Sequence, residues 1–185
     1  MDPASGIRNV IGLPRIAELL EEALDKSTCY KHPVGAVIKP LYAPDFFGLE
    51  EIFILGWNGA PSRGEEHLEC SRKGYASGEG MHLCPSVHAE RRAIAYAARD
   101  GISINRGSIY MSEWFPCADC AKSIIEAGLT ELITPDEVYL DKEHHLLVPK
   151  LQDQPYNFEM AEKLIREAGI EIIVAPEIKL FYKSY

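Results

Sequence analysis

Residues 108–134 read SIYMSEWFPCADCAKSIIEAGLTELIT. Ser108 to Ser112 reads as a strand. Cys117 to Ala127 has helical spacing of its apolar residues and stops at Gly128, a good residue for a helix end. Leu129 to Thr134 reads as the next strand and is broken by Pro135. The same alternation extends in both directions. Upstream, residues 14–25 (PRIAELLEEALD) form an amphipathic helix opened by Pro14. Val34 to Lys39 is a strand and Glu51 to Trp57 its partner, joined by the Pro- and aromatic-rich stretch KPLYAPDFFGLE, which is too long for a tight hairpin. From Val87 to Asp100 the stretch HAERRAIAYAAR predicts another helix. Downstream, Val138-Tyr139-Leu140 offers a short strand, Glu159 to Ala168 a helix closed by Gly169, and Ile170 to Val174 a last strand. Strands alternating with helices imply an α/β sandwich with a mostly parallel or mixed sheet.

The chain has 185 residues, 46% hydrophobic, with a net charge of −9. That length suits one domain with a sizeable core, and no repeat or second domain is visible across 1–185. The acidic balance disfavours a nucleic-acid partner more than a free nucleotide, whose pocket needs only one or two cations. No apolar run predicts a membrane span, and the first residues lack a signal-peptide pattern, so the expected location is cytoplasmic. In that setting the five cysteines read better as metal ligands than as disulfides.

Chemistry concentrates in His88-Ala89-Glu90 and in Pro116-Cys117-Ala118-Asp119-Cys120. One imidazole and two thiolates suit a tetrahedral zinc ion with an open fourth position. Each segment opens a predicted helix, whose N-terminus favours thiolates at Cys117 and Cys120. His88 supplies the third ligand. Glu90 is then the proton carrier, two residues from a ligand without being one. A lone Cys-x-x-Cys fits a structural zinc or a redox pair equally well. The joint pattern, each half opening a helix beside a strand, favours a catalytic zinc.

The pattern resembles that of the zinc-dependent cytidine/deoxycytidylate deaminase superfamily, and within it the deoxycytidylate (dCMP) deaminases. Ser27-Thr28-Cys29 with Val34-Gly35-Ala36-Val37-Ile38, the loop Gly56-Trp57-Asn58-Gly59-Ala60-Pro61, Phe115-Pro116-Cys117 to Ala121-Lys122, and Glu126-Ala127-Gly128 all follow the family. Cys70-Ser71-Arg72, Ser77-Gly78-Glu79 and Cys84 look like its longer insert, here about 58–87. The resemblance implies a three-layer α/β/α sandwich around a five-stranded mixed sheet. It implies hydrolysis of dCMP to dUMP and ammonia, and a homo-oligomer, hexamer or dimer. It also implies that Asn58 bonds the sugar hydroxyl and that Tyr139 lies against the nucleotide. Asn-Gly is equally a turn dipeptide, and Tyr139 equally a half-buried strand aromatic. Ala89, Phe115 and Pro116 are further candidate substrate contacts.

Where the family usually carries Asn, two residues after the proton carrier, this chain has Arg92. As a helix residue it reads as solvated, with a phosphate or a neighbouring subunit as the alternative. Arg63, Lys31 and Arg91 are candidate phosphate cations. Cys29, Cys70 and Cys84 could hold a second, structural zinc with His67 or His82, His67 being the first choice. Such a site would staple the otherwise aperiodic 58–87 stretch; the other reading is three small buried thiols. Competing functions are deamination of another base and a non-catalytic zinc protein of the same fold, against which the intact Glu90 argues.

Overall fold

The structure is a computed structural model that describes residues 13–41, 51–62, 69–75, 79–113, 115–135 and 157–178. Helix α1 (Leu13–Asp25) turns Ile16, Leu19, Leu20, Ala23 and Leu24 inward, the i, i+3, i+4 stripe its sequence predicts. Strands β1 (Gly35–Lys39) and β2 (Ile54–Trp57) follow, then α2 (Ala89–Arg99), β3 (Ser108–Met111), α3 (Ala118–Glu126), β4 (Glu131–Thr134), α4 (Phe158–Glu167) and β5 (Glu171–Val174). Gly128, at φ 73°, takes the left-handed conformation that ends α3. The last two strands start later than their apolar runs suggest, because Leu129 and Ile170 are buried in the turns that lead into them. The candidate strand at Val138-Tyr139-Leu140 lies outside the described residues.

The five strands form one sheet in the order β2-β1-β3-β4-β5. β1 is antiparallel to both β2 and β3, whereas β3, β4 and β5 run parallel. The sheet is therefore mixed, as expected. Period-two alternation divides its side chains between two cores. Ala36, Ile38, Ile109, Met111 and Leu132 face α2, α3 and α4 on one side. Val37 and Ile133 face α1 and the 3-10 turn at Pro176–Ile178 on the other. The result is an α/β/α sandwich.

Helix α2 approaches the sheet on alanines: Ala89, Ala93 and Ala97 are all buried. Across from them stands Gly56, where an added Cβ would lie 2.1 Å from the Ala89 carbonyl oxygen. Small residues on both sides let the backbones nearly touch, which fixes the start of α2 against β2. The 58–87 stretch has little regular structure among its described residues: a 3-10 turn at Met81–Leu83 and a bridge pairing Gly59 with Val87. Polar bonds tie it together. Arg72 donates to the Glu79 carbonyl, Ser71 to that of Leu83, and Lys31 reaches in to the Tyr75 carbonyl.

Candidate active site

Both chemistry-bearing helices begin just past the carboxyl end of a sheet strand, the edge where open α/β sheets hold their ligands. His88 is the N-cap of α2, and Cys117 is the N-cap of α3. Neither side chain caps its own helix, and the two turn toward each other. Cys120 sits one turn into α3 and Glu90 in the first turn of α2. Nδ1 of His88 lies 3.5 Å from Cys117 Sγ and 3.3 Å from Cys120 Sγ. The three ligand atoms fall within 4.8 Å of one another, the one such group found among the described residues. A nitrogen and two sulfurs at this spacing fit a zinc ion and leave a fourth direction open.

The charge states follow from the crowding. The bond to Cys120, then His88, hold the Cys117 thiol down to about 4 against its burial. Cys120 is pushed up by the same bond and by burial. The bond to Cys117 raises His88, outweighing its burial. Burial raises the Glu90 carboxyl above the usual carboxylate range, with His88 pulling the other way. A buried carboxyl beside a zinc-type ligand set is placed to take up and return a proton.

These groups open into a solvent-connected pocket of about 90 Å³. His88, Glu90 and Cys117 line it with Asn58, Ala89 and Phe115. Pro116 is fully buried behind that wall, just ahead of Cys117. Asn58 is tightly held: its Oδ1 accepts from the Val34 amide at 2.8 Å and the Ser27 hydroxyl at 2.6 Å, and its Nδ2 donates to the His32 carbonyl at 2.6 Å. The turn role and the pocket position therefore coexist in one residue. Lys31, His32 and Arg72 also border the pocket. Burial lowers the His32 pKa, and the charges of Lys31 and Arg72 lower it further. Arg72 and His32 were not singled out from the sequence; the one signal was the place of Arg72 inside the Cys70-Ser71-Arg72 motif. Arg63, His67 and Tyr139 lie outside the described residues.

One expectation meets a different outcome. Arg92 is not solvated but 4% exposed, because the loop after β2 folds over it. Cys29, Cys70 and Cys84 are all partly exposed, and they do not converge into a ligand group among the described residues. Cys29 and Cys84 instead border the pocket.

The model of the cytidine and deoxycytidylate deaminase zinc-binding region matches residues 14–135. The chain is 28% identical over 129 residues to deoxycytidylate deaminase of Saccharomyces cerevisiae, an alignment covering 65% of this chain and 36% of that protein. It is 30% identical over 132 residues to deoxycytidylate deaminase of Enterobacteria phage T2, covering 71% of this chain and 53% of that one. The chain thus spans about half the length, or less, of these curated relatives. The crystal structure of dCMP deaminase from the cyanophage S-TIM5 in complex with dCMP and dUMP superposes with a TM-score of 0.59 at 19% identity, covering 95% of this chain and 99% of that one. That likeness establishes the fold. With the family model spanning both the β2 loop and the two ligand-bearing helices, the chain belongs to the cytidine and deoxycytidylate deaminase family.

Proposed function

We propose that this chain hydrolyses dCMP to dUMP and ammonia. The observation that carries the reading is the convergence of His88 Nδ1 with the Cys117 and Cys120 sulfurs beside the buried Glu90, in one pocket bordered by Asn58. The curated relatives named deoxycytidylate deaminase, and the fold neighbour that binds dCMP and dUMP, support the choice of nucleotide.

His88, Cys117 and Cys120 are the ligands for zinc. When bound, zinc supplies the Lewis acidity that makes water nucleophilic at neutral pH. Glu90 takes the proton released by the attacking water. It hands that proton to the ring nitrogen beside the reacting carbon, then takes the second proton from the hydroxyl now on that carbon and gives it to the amine, which leaves as ammonia while the carbonyl forms. Ala89 and Phe115 form apolar walls for the base, and Pro116 backs the loop that presents Cys117. Asn58 donates to a sugar oxygen. Lys31 and Arg72 are the cations nearest to hand for the phosphate, with the His32 imidazole beside them, a role the sequence left to Arg63, Lys31 and Arg91. Tyr139 remains a candidate nucleotide contact.

Ammonia release measured across dCMP, dCTP, CMP, cytidine and deoxycytidine tests the reading. dCMP should be the preferred substrate. Deoxycytidine turned over as well as dCMP would move the activity to a nucleoside deaminase, and release from none of them would leave a non-catalytic zinc protein. One zinc per chain is expected at His88, Cys117 and Cys120. A ratio near two by elemental analysis would support the second site of Cys29, Cys70, Cys84 and His67, and a ratio near one would make those cysteines ordinary thiols. The homo-oligomer, hexamer or dimer, is a matter for sedimentation. No helix among the described residues is long and apolar enough to cross a membrane, and the proposed setting is the cytoplasm.

A further inference from the structure

A guanidinium enclosed by protein is costly unless its donors are met. Those of Arg92 are met almost entirely by one loop. Nε donates to the Trp57 carbonyl at 2.7 Å, and Nη2 donates to the carbonyls of Gly59 at 2.9 Å and Ala60 at 2.6 Å. Nη1 reaches the Tyr96 hydroxyl at 3.3 Å. The guanidinium carbon also lies 5.2 Å from the Trp57 ring centroid and 6.0 Å from that of Tyr96, and the two rings meet edge to face at 5.7 Å. The fork spans residues 57–60 and skips only Asn58, whose carbonyl accepts instead from the Thr28 amide and shares the Ser27 hydroxyl hydrogen with the Asn58 Oδ1.

Asn58 is the member of this loop that borders the pocket. Its Oδ1 already accepts two hydrogen bonds and its Nδ2 already donates one. An amide has two acceptor and two donor positions. Among the described residues the second Nδ2 hydrogen meets no acceptor, so Asn58 has a donor to offer a ligand. The direction of that N–H depends on where the loop sits. On one side the loop is bridged to Val87, the residue before His88, by Gly59 N–H to Val87 O at 3.2 Å and Val87 N–H to Gly59 O at 2.8 Å. On the other side it is held by Arg92, on the same helix as Glu90.

We propose that Arg92 is a positioning residue that clamps the Trp57–Ala60 carbonyls to the helix bearing Glu90, and so fixes the free Nδ2 hydrogen of Asn58 for a sugar oxygen of the substrate. This rests on the sugar contact assigned to Asn58 above. It gives Arg92 a role in substrate registration rather than in proton transfer or metal binding. Four hydrogen bonds and a stacked plane need the planar fork of Arg, and a lysine ammonium can satisfy only part of the set.

The test compares Arg92→Met, Arg92→Lys and Asn58→Ala in the zinc-loaded protein, with dCMP and with 2′,3′-dideoxy-CMP, which lacks the 3′-hydroxyl. Arg92→Met should keep its zinc and raise KM for dCMP about tenfold with kcat nearly unchanged, the signature of lost ground-state binding. KM for the dideoxy analogue should barely move. Adding Arg92→Met to Asn58→Ala should cost nothing further, and Arg92→Lys should fall between Met and Arg. An equal KM rise for both nucleotides, or additive effects in the double variant, would overturn the proposal in favour of a merely structural arginine. Hydrogen exchange reads the clamp without turnover. The amides of Asn58, Gly59 and Ala60 should exchange at least about tenfold faster in Arg92→Lys, and unchanged exchange would overturn the clamp even where Arg92→Met fails to fold. Absence of dCMP turnover by the wild-type protein would instead remove the nucleotide reading and the sugar role with it, while the exchange result still decides whether the clamp exists.

Discussion

Glu90 is buried in the first turn of α2, two residues from His88, and its proposed work is proton transfer alone. Glu90→Gln keeps the shape but cannot accept and return a proton at neutral pH. Zinc content and fold should survive, while kcat falls by ~10²–10⁴-fold or more, the range for one general acid–base group that here acts twice. Loss of zinc from Glu90→Gln would make Glu90 a ligand or an anchor instead. Cys117→Ala removes a ligand, and it should lose both the metal and the activity. His32 gives a residue-scale pH test. Burial, then the charges of Lys31 and Arg72, hold its pKa below the usual histidine value. The unfolded chain therefore takes up a proton at His32 before the folded protein does. This contribution to stability is present above the unfolded pKa of about 6.5 and is lost as pH falls through the lower folded value. His32→Gln should flatten that slope. A nucleotide phosphate docked beside Lys31, His32 and Arg72 should raise the His32 pKa, as followed by its ring resonances during a dCMP titration. A His32 pKa unmoved by saturating dCMP would place the phosphate elsewhere.

At the scale of elements, the contact of β2 with α2 carries the site. Gly56 faces the Ala89 carbonyl, the Ala93 amide and the Ala93 methyl, all closer than 3.0 Å to where a Cβ would stand. Gly56→Ala therefore pushes backbone against backbone, and no flexible side chain is there to give way. Overpacking of this kind costs about 1–3 kcal/mol, several degrees of Tm for a chain of this size. The displacement starts at the turn that holds His88 and Glu90, so zinc affinity should fall along with Tm. A Gly56→Ala protein with unchanged Tm and zinc content would mean that α2 can slide on the sheet at no cost. The sheet gives a second pH signal. Burial, then Glu131 and Glu51, raise the Tyr110 phenol above its ordinary value. A raised acid favours the folded state below its unfolded pKa of about 10, and the benefit is lost as pH climbs through the folded value. Denaturant unfolding should show stability falling above pH 10, and Tyr110→Phe should lessen that fall.

For the whole molecule, the two cores on opposite faces of the sheet hold two helix starts at one point, and the metal would cross-link them. His88 and the two cysteines come from different helices that pack on the same sheet face. A ligand that binds only the folded state stabilises it by mass action. Removing zinc with a chelator should abolish ammonia release and lower Tm, and adding zinc back should restore both. Activity that persisted in fully metal-free protein would end the zinc-dependent reading. The stoichiometry on reloading separates one ion from two.

Much of this was legible along the chain, for a local reason. His-x-Glu and Cys-x-x-Cys place their groups through the geometry of a helix start, and that geometry needs only a few neighbouring residues. The order of strands and helices was legible too, since period-two and 3.6-residue patterns are properties of short windows. Long-range packing decided the rest. On α2, Arg92 is flanked by Arg91, and the helical pattern gives no sign that only Arg91 meets solvent. The loop that supplies three carbonyls to Arg92 comes from more than thirty residues earlier. Cys29, Cys70 and Cys84 are the right residue type for a second site, but type alone does not bring sulfurs together; the polar bonds of Ser71, Arg72 and Lys31 also hold the described part of that segment. Thus the sequence by itself determined which residues are the candidates to bind zinc and move a proton. The tertiary structure alone decided which loop stands over them and what holds it there, because a buried charge is placed by partners far away in the chain.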